Sequence, residues 1–425
     1  MASWIERDAA VVWHGFTQMA AFEGNDPIIV ERAEGHELID VDGRRYLDAI
    51  SSLWVSTLGH RVPELDAAVA EQLGRVAHST LLGNGNRTVI ELAEALSEIV
   101  PVDGPHFLFA SDGASAVEQA LKIAFQYWVN EGIEGRTSYL TFGDAYHGDT
   151  VGSLSLGGGG FGTDLFDPLR FPVVRAPGFD DPHCIKTAAD IVRNRADDLA
   201  AAVVEPLVQG AAGMMIAYAE SFPHLQAACK ETGVLLICDE VATGFGRTGR
   251  MFASESCALR PDLLCIGKGM TGGYLPMSAT VANERVYNAF LGEDLGPRTF
   301  YHGHSYGGNA LAAAVALRHL RLLEEKAVLD NVRARSVELR ELLDKEVTSL
   351  PAVKEVRLQG LMGGVELHAG DRRGRRVCAA AVRRGVLLRP LGDVVVLMPP
   401  LTITSQELHT IVDALADSIL EVVPS

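Results

Sequence analysis

The sequence predicts an α/β protein with a large domain built on a doubly wound, mostly parallel sheet. A smaller α+β domain is expected from the two ends of the chain. Three observations carry this reading. Short apolar runs alternate with helical patterns for about two hundred residues of the middle of the chain. From residue 307 that alternation gives way to long amphipathic helices. Residues 28–50 form a separate small meander near the amino terminus.

In chain order, the meander IIVERAEGHELIDVDGRRYLDAI (28–50) is punctuated by Glu-Gly and Asp-Gly turns. A helix is expected over 63–77, with Pro63 early and Leu65, Ala68, Val69 and Leu73 on one stripe. HFLFAS (106–111) then runs into the helix ASAVEQALKIAFQYWV (114–129), and SYLTF (138–142) leads to AYHGDT. AAVVEPL (201–207), GVLLICDE (233–240), DLLCIGK (262–268) and MSATVAN (277–283) continue the series as buried parallel strands. Beyond 307 come two long helices, the run KEVRLQGLMGGVEL, a helix at 374–385, the run VVVLMPP and a closing helix at 405–421, an α+β unit separate from the central sheet. This divides the chain into 1–55 and 311–425, which form the small domain, and 56–310, the large one. Gly157–Gly160 reads as a flexible loop.

The bulk composition narrows the function. With 48% hydrophobic and 22% charged residues over 425 positions, the chain is a globular enzyme type. A formal charge of −18 opposes binding to nucleic acid or to an anionic membrane surface. Six scattered cysteines show no CxxC spacing, so neither a zinc site nor a disulfide framework is expected, and Cys238 and Cys265 read as buried small hydrophobes. The amino terminus has no sustained apolar stretch, and no run approaches the roughly 20 residues of a membrane span. A cytoplasmic enzyme is the expectation.

Chemistry concentrates where strands end. Asp239 closes the run GVLLICDE and Lys268 closes DLLCIGK. Ligands of parallel sheets collect outside the carboxyl ends of the strands. A lysine and an acid on that rim suit pyridoxal phosphate: the lysine forms a Schiff base and the acid holds the pyridinium nitrogen protonated. A salt bridge between strand ends is the alternative. SDGASAVEQALK (111–122) adds small residues at a strand-to-helix junction. There the amides of Gly113 and Ala114, with the Ser115 hydroxyl, would face a phosphate, unless the motif is an ordinary helix cap. Tyr146 is placed to stack on a planar ring, or else is a core tyrosine. Glu205 stands at another strand end, drawn toward the site by the apolar run before it. His302 and His304 lack a third residue at ligand spacing, so a metal is not expected. Gly303–Ser305 reads instead as a second phosphate clamp, and Arg389 as a grip for a carboxylate or one half of a surface salt bridge.

With these motifs in place, the chain resembles the class III, fold-type I, pyridoxal-phosphate-dependent aminotransferases over nearly its whole length. DEVATGFGRTG and the GKGMTGG lysine are the strongest marks. Within the class, WHGFTQM, SSLWVSTLGHR, AFQYW, YHGDT, EPLVQGAAGM and RPLGDVVVLMPP resemble the biotin-pathway branch, which aminates 8-amino-7-oxononanoate to 7,8-diaminopelargonate (7,8-diaminononanoate). The resemblance implies Lys268 as the Schiff-base lysine, Asp239 at the pyridine nitrogen and Tyr146 on the ring face. Gly113 and Ala114 hold the phosphate, with Glu205 nearby. It further implies a homodimer in which His304 and Ser305 reach the phosphate of the neighbouring subunit. Arg389 would bind the keto-acid carboxylate, with Phe16, Leu53, Trp54 and Gly303 lining the substrate channel. Phe16 replaces a tyrosine, Leu53 a tryptophan and Ser305 a threonine of the usual pattern. Most members of the branch take the amino group from S-adenosylmethionine. A lysine-using group resembles this chain at Phe16 and around Trp54. An ω-amino-acid or diamine transaminase of the same class is the nearest rival. A nucleotide-binding oxidoreductase lacks its GxGxxG, and a non-catalytic pyridoxal-phosphate binder is a further alternative.

Overall fold

The computed structural model describes residues 2–158 and 162–423, so part of the Gly157–Gly160 run lies outside the described residues. The amino-terminal meander consists of β1 (Val30–Glu34), β2 (Glu37–Asp40) and β3 (Arg45–Asp48). The middle of the chain supplies β4 (His106–Ala110), β5 (Ser138–Phe142), β6 (Val174–Ala176), β7 (Leu199–Val204), a small hairpin of β8 (Val208–Gln209) and β9 (Met215–Ile216), β10 (Leu235–Asp239), β11 (Leu263–Ile266) and β12 (Ser278–Ala282). The tail gives β13 (Val353–Gln359), β14 (Met362–Leu367), β15 (Val386–Leu387), β16 (Arg389–Leu391) and β17 (Val394–Leu397).

Seven strands form the central sheet, in the order β4-β12-β11-β10-β7-β5-β6. Every residue of β7, β10, β11 and β12 is buried, which is why these strands read as continuous apolar runs. Their side chains still alternate between two cores. Leu236, Cys238, Ala202, Val204, Leu264 and Ile266 join one apolar cluster, while Leu235, Ile237, Ala201, Val203, Leu263 and Cys265 join another on the opposite face. All six cysteines are free and buried.

One expectation needs correction. The run MSATVAN does not continue the parallel series: β12 pairs antiparallel with both β11 and β4. Only residues 267–277 join β11 to β12, and their one regular element is the short turn Lys268–Thr271. A parallel return needs a crossover of a dozen or more residues, usually a helix, so this connection reverses the chain. The helix expected over 63–77 spans Pro63–Leu73 and is closed by Gly74. The long helix begins at Ala310, where the Asn309 side chain caps Ala312 N–H, and not at 307.

The tail folds its own antiparallel sheet, β13-β14-β17-β16, and lends β15 to the meander, where it runs parallel to β3. A third apolar cluster draws Leu47, Leu58 and Leu65 from the amino-terminal part together with Val332, Leu343, Val365, Val395 and Leu415 from the tail. The helix Ala310–Glu325 feeds both units: Ala312, Ala313 and Ala316 pack into the central core, and Val315, Leu322 and Leu323 into the tail core. No helix among the described residues is long and apolar enough to cross a membrane.

Candidate active site

Because β4, β5, β7, β10 and β11 run in one direction, the residues following them emerge on one rim: Ser111–Gly113, Tyr146–His147, Glu205, Asp239 and Lys268. These residues line a cavity of about 1030 Å³, together with Ala114, Phe16, Leu53, Trp54 and Arg389. The reversed strand β12 contributes from its amino end, where the Ser278 hydroxyl donates to the Asp112 carbonyl at 2.6 Å.

Asp239 is the last residue of β10 and is buried. Its Oδ1 accepts the Val241 N–H at 3.0 Å, and its Oδ2 pairs with His147 Nδ1 at 2.7 Å. The Lys268 ammonium makes no ion pair or hydrogen bond among the described residues, and its Nζ lies 4.8 Å from the Trp54 ring centroid. Asp239 and Lys268 are therefore not the salt bridge that their spacing also allowed. Removal from water holds the Lys268 ammonium below its ordinary pKa; Asp239 and Glu205 oppose this and Arg247 adds to it. Glu205 is buried, accepting the Tyr146 N–H at 3.2 Å and the Gly210 N–H at 3.3 Å. Burial pushes its pKa up to about 7, the charge of His147 opposing and that of Asp239 reinforcing the rise. The Tyr146 hydroxyl donates to Asp149 Oδ2 at 2.9 Å, and burial raises its pKa, with Asp149 adding to the effect.

The helix Gly113–Asn130 aims its amino terminus at the cavity. Asp112 caps it, taking the Ser115 N–H on Oδ1 and the Ser115 hydroxyl on Oδ2, both at 2.8 Å. The Ser115 hydroxyl is thus committed to the cap, contrary to the expectation that it would face a phosphate. The amides of Gly113 and Ala114 are left for an anion. The Arg389 guanidinium, on β16, makes no hydrogen bond or ion pair among the described residues, and the residue lines the same cavity. Phe16 and Leu53 are 66% and 49% exposed, whereas Trp54 is buried, so two apolar side chains at the mouth meet solvent.

Gly303, His304 and Ser305 are not brought into the cavity of their own chain. His304 Nδ1 accepts the Tyr306 N–H at 3.1 Å, which leaves Nε2 as the donor to Ser111 Oγ at 2.9 Å. Both ring nitrogens are engaged within the chain. The backbone of Ser305 accepts from His78 Nε2 at 2.7 Å. Sequence reasoning missed His147, whose only signal was its place between Tyr146 and Gly148. It also passed over Arg247, buried within DEVATGFGRTG, whose guanidinium reaches the Pro399 carbonyl and whose pKa is pushed down to about 9 by burial.

The site fits pyridoxal phosphate on three counts. Gly113 and Ala114 offer amides for the phosphate, and a Cβ at Gly113 would stand 2.6 Å from Val241 Cγ1, so only glycine fits there without displacing the wall. Asp239 offers a buried carboxylate for the ring nitrogen. Lys268 offers an unpaired amine for the aldehyde.

Comparison with known proteins agrees. The family model "Aminotransferase class-III" matches residues 19–419. The chain is 47% identical to the adenosylmethionine-8-amino-7-oxononanoate aminotransferase of Nitratidesulfovibrio vulgaris, covering 98% of this chain and 81% of that protein. The crystal structure of the enzyme of that name from Methanocaldococcus jannaschii superposes with a TM-score of 0.95 at 38% identity, covering 98% of each chain. An amine transaminase from an uncultivated Pseudomonas species, solved with pyridoxal phosphate bound, superposes with a TM-score of 0.89 at 34% identity, over 97% of this chain and 98% of that one. This chain belongs to the class-III aminotransferases, fold-type I enzymes that depend on pyridoxal phosphate.

Proposed function

We propose that this aminotransferase places an amino group on the ketone of 8-amino-7-oxononanoate, giving 7,8-diaminononanoate in biotin synthesis, with S-adenosylmethionine as the donor. The observation that carries the reading is that Lys268 and Arg389, whose side-chain cations have no bonded partner among the described residues, line one cavity. An acceptor with a ketone and a terminal carboxylate needs that pair. The names of relatives covering nearly the whole chain support the substrate and donor.

Bound pyridoxal phosphate supplies an electron sink for the electron pair left when a C–H bond beside an amine breaks. Lys268 provides the base. Burial makes its amine less basic, so a larger fraction is neutral and able to take the proton from the donor's amine-bearing carbon and return one on the acceptor. Asp239 presents a carboxylate to the ring nitrogen, and the amides of Gly113 and Ala114 bind the phosphate at a helix amino terminus. Tyr146 would stack on the ring face, its backbone N–H held by Glu205. Arg389 would grip the carboxylate, with Phe16, Leu53 and Trp54 along the methylene chain.

In this reading the enzyme is a cytoplasmic homodimer, with segments 1–55 and 311–425 forming the small domain around the large domain 56–310. Gly303 and Ser305 are exposed beside the rim but outside their own cavity, which supports a role in the neighbouring site. With His304 bonded to Ser111, the Ser305 hydroxyl is the group we assign to the neighbour's phosphate.

Lysine as donor is the second reading. It is favoured by the placement of Phe16 and Leu53, two of the three departures from the usual pattern, at the exposed mouth of the cavity. Half-reactions decide. S-adenosylmethionine should bleach the visible absorption of the loaded enzyme and 8-amino-7-oxononanoate should restore it. Bleaching by lysine alone assigns the second donor. Response only to simple ω-amino acids or diamines would move the chain to that branch of the class.

A further inference from the structure

We propose that Arg357 is a positioning residue for Arg389. By tying the tail sheet to the β8–β9 hairpin, it fixes how far the Arg389 guanidinium stands from Lys268. The inference rests on the reading that Arg389 binds the keto-acid carboxylate. Arg357 lies on β13 and is buried. Its register runs straight to Arg389: Arg357 pairs with Gly364, Gly364 with Val396, and Val396 with Arg389. Residues directly opposite each other in antiparallel strands share a face. The two arginines therefore stand on one face of the tail sheet, at the two ends of a row that crosses its four strands. That face looks toward the central unit, since Val396 joins the central apolar cluster while Val365, Val395 and Leu397 join that of the tail.

The hairpin is where that face lands. Arg357 Nε donates to the Gly213 carbonyl at 3.1 Å. A Cβ on Gly364, next in the row, would stand 3.0 Å from the same carbonyl oxygen and 3.1 Å from Met214 Cβ. The hairpin loop also builds the cavity. Ala211 lines it, the Gly210 N–H donates to Glu205, and a Cβ on Gly210 would meet the Trp54 ring at 3.1 Å. One junction thus relates the sheet bearing Arg389 to the wall beside Lys268. Arg357 Nη1 donates to Glu355 Oε2 at 2.5 Å and to Glu366 Oε2 at 2.6 Å, which answers its charge within the tail sheet and leaves Nε to cross to the hairpin. A buried ion pair adds little net stability over an apolar residue of the same size. What the arginine contributes is a fixed geometry across the junction. A lysine keeps the charge but lacks the planar fork that meets carboxylate and carbonyl together.

The test measures KM and kcat of the holoenzyme for 8-amino-7-oxononanoate and for its uncharged terminal carboxamide. Wild type, Arg357→Lys, Arg389→Ala and the double variant are compared. We expect Arg357→Lys to raise KM for the acid about 10- to 100-fold, as a misplaced group does, and to leave kcat/KM for the carboxamide within about twofold. In the Arg389→Ala background the same change should alter KM for the acid by less than about twofold, because the group it positions is gone. Equal loss on acid and carboxamide, full loss persisting without Arg389, or no loss at all overturns the proposal. Gly364→Ala presses on the same junction with Arg357 intact and should give the same acid-selective rise. It carries the test should Arg357→Lys not fold, and an unselective or absent effect there overturns the proposal. If Arg389→Ala itself impairs acid and carboxamide alike, the reading of Arg389 as the carboxylate grip fails instead.

Discussion

Gly113→Ala is the sharpest perturbation of the cofactor cradle. Gly113 opens the helix Gly113–Asn130 at an ordinary helical conformation, so alanine there carries no backbone strain and would by itself favour the helix. The obstacle is steric. The new Cβ would stand 2.6 Å from Val241 Cγ1 and 3.1 Å from Cγ2, where ordinary contact begins at 3.4 Å. Relief requires a shift of about 0.8 Å by Val241 or by the helix terminus. Either movement damages the site. Val241 donates its N–H to Asp239, and the helix terminus carries the amides we assign to the phosphate. Overpacking of this kind costs about 1–3 kcal/mol. If the cost falls on the loaded state, it weakens the cofactor by roughly 5- to 150-fold. Titration of the apoenzyme with pyridoxal phosphate, followed by absorbance, measures the change. Adding Val241→Ala removes both offending carbons and should restore most of the affinity. Binding by Gly113→Ala within about twofold of wild type, or failure of Val241→Ala to rescue a loss, would refute the argument.

Three further outcomes are expected. Lys268→Ala should abolish turnover, and residual transamination at an appreciable rate would remove Lys268 from the base role. Arg389→Ala should raise KM for the keto acid by about 10- to 100-fold while changing kcat far less, as expected for a charge-assisted bond made equally in ground and transition states; steady-state kinetics against acceptor concentration reads the split. Glu205 has a folded pKa of about 7 against an ordinary 4.5, so it binds its proton more tightly in the folded state. Its contribution is therefore fully present below about pH 4.5 and is lost as pH rises through 7, a change on the order of 3 kcal/mol. Melting of apo wild type and Glu205→Gln across that window should show the variant gaining relative stability toward high pH; parallel curves would mean that Glu205 does not titrate there.

What could be read from the sequence follows from how far each signal extends along the chain. Asp239 and Lys268 each end an apolar run, and a buried strand writes its end into composition, so both were visible. Gly113 and Ala114 stood out because a strand-to-helix junction needs small residues. The direction of β12 was not visible in MSATVAN itself, because parallel and antiparallel buried strands share a composition; it lay in the brevity of residues 267–277. Ser115 was misplaced because a serine near a helix start can serve the cap or the ligand, and only the position of Asp112 decides. His147 was missed for a plainer reason. Its partner is Asp239, far along the chain, and a lone histidine between tyrosine and glycine has no period to read.

The least legible feature is backbone strain, part of which lies at or beside the cavity. Phe16, Ser51, Ser52, Trp54 and Lys268 all have left-handed φ, at 54°, 50°, 61°, 65° and 42°. Non-glycine residues in such regions cost about 1–3 kcal/mol each and persist only where the surroundings over-determine them. Here they do. The Ser51 hydroxyl donates to the Met398 carbonyl at 2.7 Å, and Ser52 is tied to Asp48 through its N–H at 2.8 Å and its hydroxyl at 2.9 Å. The turn that begins at Lys268 is packed from behind: a Cβ at Gly269 would meet Phe245 and Thr57 at 3.2 Å, and Thr57 Oγ1 is bonded to His319 Nε2 at 2.6 Å. Burial pushes the His319 pKa down to about 4, so this brace stays neutral and places no second cation behind the lysine. The anchors Met398 and His319 come from the tail and from the helix that connects it to the central sheet. The tail thus holds the floor of a site whose chemistry lies on the central sheet. Local preference at SSLW and GKGM points away from the observed backbone, and tertiary packing overrides it at residues that line the cavity.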